Sequence, residues 1–224
     1  MRTSHIMRPL TVLFGISCLL TAAEPKQKVR VEHTERADFP SGGLLRLKNS
    51  AGEVTVQGWD RPDVEITTIK SIYTSGSREK ASRDLDKVRI SVEGRGDELV
   101  ITTHFPHLNA AGLEYYIKAP MSASLAVGHK TGEVHVENLT SDIHVTVHNG
   151  GITLRLPEGQ YNIDARSDWG DVISDFQGSK KRKLWLLGYQ FVQPTAAAHK
   201  LYVRACFGDI MILKPSKPAS GATP

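Results

Sequence analysis

From about residue 37 onward the chain alternates apolar and polar residues in short runs. The runs are separated by Gly, Asn, Asp, Ser and Pro. Glu53-Val54-Thr55-Val56, Val64-Glu65-Ile66-Thr67, Val88-Arg89-Ile90-Ser91-Val92 and Leu99-Val100-Ile101-Thr102 are representative. A period of two puts one set of side chains in a core and the other in water, so these runs predict β-strands. Only Ser77 to Asp86 reads differently. Its charges, with Ala81 and Leu85 among them, predict one exposed amphipathic helix of about three turns lying across or capping the sheets.

The second half also repeats on a longer scale. Glycines fall at 132, 150, 170, 188 and 208, spaced 18, 20, 18 and 20 residues apart. Gly132-Glu133-Val134, Gly170-Asp171-Val172 and Gly208-Asp209-Ile210 share one pattern, and Gly150-Gly151-Ile152 is a variant. An alternating run precedes several of them: Ile143/Val145/Val147, Tyr161/Ile163/Ala165 and Leu201/Val203/Ala205. One turn is skipped around 180–187 and reads as degenerate or bulged. A unit of two strands cannot bury its apolar face alone, whereas stacked units pair their backbones and line up inward Val, Ile and Leu. Glycine belongs where the chain turns the corner and the next turn comes close. The expected fold is therefore all-β: a repetitive β-solenoid or β-helix-like stack of about 18–20 residues per turn, with one short helix near 77–86. Gly52-Glu53-Val54 suggests that the N-terminal strands begin the same stack, and residues 134, 152, 172 and 210 should fill one interior row. A β-sandwich of hairpins is the alternative, for which Asn149-Gly150 is a local signal.

The first 23 residues carry Arg2, Arg8 and no acid, then an apolar stretch from Leu10 to Leu20 and Thr21-Ala22-Ala23. These features predict a signal peptide cleaved near Ala23. Gly15-Ile16-Ser17 ahead of Cys18 fits a lipidation site poorly. The expected organisation is a signal peptide over 1–23, a linker over 24–36, a β-solenoid domain over 37–213 and a flexible tail over 214–224. A length of 224 residues suits one domain, or two small ones. A hydrophobic content of 40% with 19 Gly excludes a disordered or collagen-like chain, and two Cys exclude a disulfide scaffold. Loss of two Arg takes the formal charge from +4 to +2. That leaves no electrostatic reason to expect nucleic acid. Secretion to the periplasm or beyond follows, with no transmembrane segment after signal removal.

Candidate chemistry comes from the stacking columns. Six residues before each glycine stand Ala126, His144, Asp164, Arg182 and Tyr202. Stacked in sequence order they predict a surface ladder His144–Asp164–Arg182, an acid between two bases on a solvated face. One residue after each glycine stand Glu133, Gly151, Asp171, Tyr189 and Asp209, which read as turn acids because the column is too interrupted for Ca²⁺. The nine histidines lack metal-ligand spacing, so no metal, cofactor or catalytic residue is expected. Lys180-Lys181-Arg182-Lys183 is the sharpest charge feature and a possible anion-binding site. Trp169 and Phe207, each just before a glycine, are expected to pack into corners.

Gly52-Glu53-Val54-Thr55-Val56-Gln57-Gly58-Trp59-Asp60 resembles the first signature of the bacterial DUF4097 family. Tyr116 to Pro120, Leu125-Ala126-Val127 and Gly132 to Val136 resemble that family's later core. The resemblance spans roughly residues 37–213 and implies a β-solenoid-like, exported, adhesin-type protein without catalytic residues. The expected function is a non-catalytic, adhesin-like module that binds or scaffolds at the cell envelope, its partner a glycan or another envelope protein. The alternatives are a polysaccharide-active β-helix enzyme, or an envelope component that meets a protein at an exposed end, near Leu184–Val192 or Ile210–Leu213.

Overall fold

The computed structural model describes residues 26–104, 111–182, 187–196 and 199–215. The proposed signal peptide, Lys183 and most of the C-terminal tail lie outside them. In chain order the first elements are β1 (Gln27–Asp38), β2 (Leu44–Ala51), β3 (Glu53–Trp59), β4 (Asp63–Thr74), α1 (Arg78–Asp86), β5 (Arg89–Arg95) and β6 (Glu98–His104). There follow β7 (Ala111–Pro120), β8 (Ser124–Thr131), β9 (Val134–Glu137), β10 (Ile143–Asn149) and β11 (Ile152–Arg155). The last are β12 (Tyr161–Trp169), β13 (Val172–Ser174), β14 (Ser179–Arg182), β15 (Tyr189–Gln193), β16 (His199–Phe207) and β17 (Ile210–Leu213).

Apart from α1 the described protein is all-β, in two sheets that share one core. Sheet A runs β1-β4-β7-β3-β9-β11-β17-β13, and sheet B runs β14-β15-β12-β16-β10-β8-β2-β6-β5. Pairing is parallel in the middle of both sheets and at the β13 edge of sheet A, and antiparallel at the β1 edge of sheet A and at both edges of sheet B. The alternation does what its period requires. Val54, Val134, Ile152, Ile210 and Val172 are register partners across sheet A, each at most 1% exposed. Leu45, Leu125, Ile143, Leu201 and Ile163 form a matching buried row on sheet B. Each such side chain contributes about 1.5–3 kcal/mol on burial, so these rows are the main stabilising feature.

Each repeat unit is a sheet-B strand, a glycine corner and a sheet-A strand. At the corner the units come so close that a Cβ on Gly132 would overlap the carbonyl oxygen of Gly52. A Cβ on Gly150 would likewise overlap the carbonyl of Gly132. Gly132 also sits at φ +126°, which side chains rarely adopt. Backbone bonds continue around the corner: the N–H of Gly52 donates to Thr131, that of Gly132 to Asn149, that of Gly150 to Phe207 and that of Gly208 to Trp169.

Those bonds give the spatial order of corners as 52, 132, 150, 208, 170, which is not the order in the chain. After β11 the chain steps outward to build β12 and β13. It then makes the hairpin β14–β15 and returns with β16 and β17 into the gap beside β10 and β11. The other margin behaves alike, because β6 and β7 lie outside β2 and β3. The expectation of sequential stacking is thus corrected. The hairpin covers the outer edge of β12, and the last unit takes the inner edge.

Three further expectations change. Residues 27–36, part of the stretch 24–36 read as a linker, belong to β1, which pairs along its whole length with β4. The skipped turn is an antiparallel hairpin, not a bulged repeat. Ile210–Leu213 is enclosed between β11 and β13 and so cannot be an exposed terminal edge. Helix α1 matches its expected range. Ser77 caps it by accepting the Lys80 N–H at 3.3 Å, and Ala81 and Leu85 bury against Val29 and Ile72.

The interior row of sheet B turns polar at the corner. His129, 4% exposed, donates from Nε2 to the Gly52 carbonyl at 2.9 Å, since a carbonyl oxygen only accepts. Ser167 donates to the Gly208 carbonyl at 2.7 Å. Burial pushes the His129 pKa below its ordinary 6.5, and backbone hydrogen bonding and the Glu133 charge oppose this without cancelling it.

Two outcomes are expected. Gly132→Ala should cost about 3 kcal/mol or more. Gly128→Ala, whose Cβ meets nothing within 4 Å, should change chemical denaturation very little. Equal losses would contradict the corner account. For His129, the unfolded chain binds more protons below the ordinary pKa of 6.5, so its contribution to stability is complete above that pH and declines as pH falls through it. His129→Gln should flatten the stability–pH curve between pH about 7 and 5 relative to the parent, checked by urea denaturation at each pH.

Candidate functional site

The outward face of sheet B carries two polar rows. One reads Arg46, Ala126, His144, Tyr202 and Asp164 across β2, β8, β10, β16 and β12. The next reads Lys48, Gly128, Thr146, Arg204 and Arg166 on the same strands. Between Ser124 and Lys130, β8 presents outward only Ala126 and Gly128, and the space above Gly128 is open. The result is a trough with β8 as its floor, β2 as one wall and β10 as the other. Three adjoining depressions of about 730, 570 and 190 Å³ follow it. Its walls stand about 10 Å apart, twice the spacing of neighbouring strands, and Ser124 to Lys130 spans about 20 Å.

The far wall is held by a network that sequential stacking does not predict. Arg204 on β16 donates to the Asp164 carboxylate at 2.6 Å and to the Asp164 carbonyl at 2.8 Å. Its guanidinium lies 3.8 Å over the Tyr202 ring, and His144 packs on Tyr202 with centroids 4.6 Å apart. Burial of Asp164 would raise its pKa. Hydrogen bonds from Arg204 and Gln190, with the Arg204 charge, outweigh that and hold the carboxyl below its usual range. Burial, then the charges of Arg204 and Arg46, push His144 down, so its imidazole is neutral at pH 7. On the near wall Arg46 pairs with Glu98 at 2.7 Å, and that bond lowers the Glu98 pKa.

The expected ladder His144–Asp164–Arg182 does not exist. β16 lies between β10 and β12, so Tyr202 separates His144 from Asp164. Across its other edge Asp164 meets Val192, and Arg182 faces Tyr189 in the hairpin. Lys180, Lys181 and Arg182 form β14, the fully exposed edge strand of sheet B. Alternation turns Lys181 away from the other two. Lys180 pairs with Asp171 and lies 4.5 Å from the Tyr189 ring centre. Cations on a free edge discourage pairing with another chain, which accounts for the run without a ligand. Lys183, the fourth member, lies outside the described residues.

The turn acids tie units together. Glu133 accepts the Gly151 N–H at 3.0 Å and Asp209 accepts the Asp171 N–H at 2.7 Å. Among the described residues, no three His, Cys, Asp or Glu converge as metal ligands would. Trp169 and Phe207 are not packed into corners. They are 45% and 46% exposed, with centroids 6.1 Å apart and planes 18° from parallel, and His148 meets Phe207 edge-on at 5.7 Å.

No family model matches the sequence, and no curated protein does. Solved structures are similar at low identity. A “putative cell adhesion protein” from Clostridium sporogenes is 14% identical over 84% of this chain and all of that one, with a TM-score of 0.49. A “putative adhesin” from Bacteroides fragilis is 10% identical over 82% of this chain and 97% of that one, with a TM-score of 0.30. Likeness at these values decides neither family nor ligand. Among the described residues no helix is long and apolar enough to cross a membrane.

The network is open to a double-mutant cycle. Alanine at Asp164 and Arg204 should show a coupling of about 0.5–1 kcal/mol, small because the pair is partly in water. Asp164 with Arg182 should show none. The reverse result would restore the sequential ladder.

Proposed function

We propose that this protein is an exported, non-catalytic, adhesin-like module of the bacterial cell envelope, built as a β-solenoid-like stack, and that it binds through the outer face of sheet B. The trough along β8 carries the reading. A rigid, hydrogen-bonded sheet offers a surface that loses little further entropy on binding. Small side chains at Ala126 and Gly128 leave room for one extended chain, and Arg46, Lys48, His144 and Thr146 supply polar groups along both walls. The titratable groups on the far wall suit recognition better than proton transfer. Asp164 is held ionised by Arg204, and His144 is stacked on a ring. The resemblance of Gly52–Asp60 and the later segments to the DUF4097 family supports the adhesin-like reading, and the features of residues 1–23 support export with cleavage near Ala23.

Gly128 supplies the test, because a Cβ placed there meets nothing within 4 Å and a larger side chain would extend into the trough. The parent chain and Gly128→Trp would be compared on an array of envelope glycans. The expected result is binding by the parent, weakened about tenfold or more in the variant, with an unchanged melting temperature. Equal binding by both proteins would contradict the assignment. So would loss of binding on replacing Lys180, Lys181 and Arg182 by Ser instead.

A further inference from the structure

The charges on the sheet-B face do not balance, and part of the imbalance lies in the trough. Arg46 is matched by Glu98, Arg204 by Asp164 and Arg166 by Asp168, at 2.7, 2.6 and 2.9 Å. Lys48 and Lys130 are exposed and have no ion-pair partner among the described residues. They bracket Gly128, one beside it on the wall and one two residues further along the floor. Two ammonium groups therefore project at the point where the trough is emptiest. Past the end of the β10 wall, two and three strands to the side of β8, lie Phe207 and Trp169, two nearly parallel rings that are almost half exposed. His148, which lines the same depression as Lys130, reaches Phe207.

Resting on the trough as the binding site, we infer that its ligand is a linear polysaccharide bearing carboxylates, a polyuronate. Lys48 and Lys130 meet carboxylates of the chain, and where the chain leaves the trough over the end of β10 the Phe207 and Trp169 rings receive the apolar faces of its sugars. Flat exposed rings beside hydrogen-bonding walls suit sugar rings, which present C–H faces and hydroxyl edges. The width admits one chain. The charge decides against nucleic acid. Tight backbone binding there neutralises on the order of 6–10 phosphates, whereas Lys48, Lys130 and Lys200, the lysines that line the trough, match a polymer with fewer charges per unit length. A uronate carboxylate also needs no deep pocket, only cations at the rim of an open groove.

The test uses the full chain and three probes: polygalacturonate, the same polymer with its carboxyls reduced to alcohols, and oligo(dT). Binding is read by affinity electrophoresis with Lys48→Gln/Lys130→Gln, Trp169→Ala/Phe207→Ala and Gly128→Trp. The parent should bind polygalacturonate, and the lysine pair and the Gly128→Trp variants should each weaken it about tenfold. The aromatic pair should weaken binding of both sugar polymers. Melting curves of the lysine variant should match the parent, since both side chains are exposed. Equal binding of the reduced polymer, blocked by Gly128→Trp, would overturn the carboxylate inference and leave the trough in place. Binding of oligo(dT) that Gly128→Trp blocks would overturn it in favour of nucleic acid. Binding of polygalacturonate that ignores Gly128→Trp, or no binding of any probe, would overturn both the inference and the trough.

Discussion

The close approach of one backbone corner to the next governs this structure. A carbonyl oxygen of each unit occupies the place where a Cβ of its neighbour would stand, so no residue but glycine fits. The constraint is steric and sets the geometry before any side chain contributes. It brings Gly52, Gly132, Gly150, Gly208 and Gly170 into one column. Once the corners are aligned, residues at equal distances from them must be register partners. Interior rows such as Val54–Val134–Ile152–Ile210–Val172 follow from that alignment. Polar groups near the corner reinforce it. His129 and Ser167 cap neighbouring carbonyls from inside, and Glu133 and Asp209 bind neighbouring N–H groups from outside. Buried carbonyls and amides at a corner would otherwise lack partners, at a cost of about 1–3 kcal/mol each.

The same register shapes the outer surface. Side chains that point away from an interior row must themselves form rows, so a small residue on one strand becomes a groove between its neighbours. Ala126 and Gly128 follow each other on the outward side of β8, and the groove runs with the strand. Nothing in the fold asks for a glycine at 128, where φ is ordinary and space is open. This sets it apart from the corner glycines, and the trough is where the surface departs from what packing requires.

Much of the fold was legible because it rests on local chemistry. Period-two alternation located the strands, Ser77 with Ala81 and Leu85 marked the helix, and the Gly-acid-Val spacing identified the interior row. The order of units was not legible. A period states which residues share a row but not which unit sits beside which, since Ile210 and Val172 fill the same kind of interior site. That one ambiguity undid the ladder at His144, Asp164 and Arg182. It also hid Arg204, whose partner Asp164 is forty residues away on a strand that adjoins only through the displaced return. β1 was missed because Gln27–Asp38 is mostly polar, as suits an edge strand with exposed side chains. The small outward residues of β8 were visible in the alternation, but a trough requires knowing that β2 and β10 flank them.

The order of the units is the claim on which the rows, the network and the trough all depend, and cysteine cross-linking reads it directly. In a Cys206→Ser background, Thr146→Cys/Arg204→Cys joins register partners on adjacent strands, within the Cα separation of about 4.4–6.8 Å that a disulfide spans. Thr146→Cys/Arg166→Cys joins strands that would be adjacent only if the chain stacked in sequence order, and here they stand about 10 Å apart. The account predicts rapid disulfide formation under mild oxidation in the first variant and none in the second. A disulfide in the second and not in the first would contradict it.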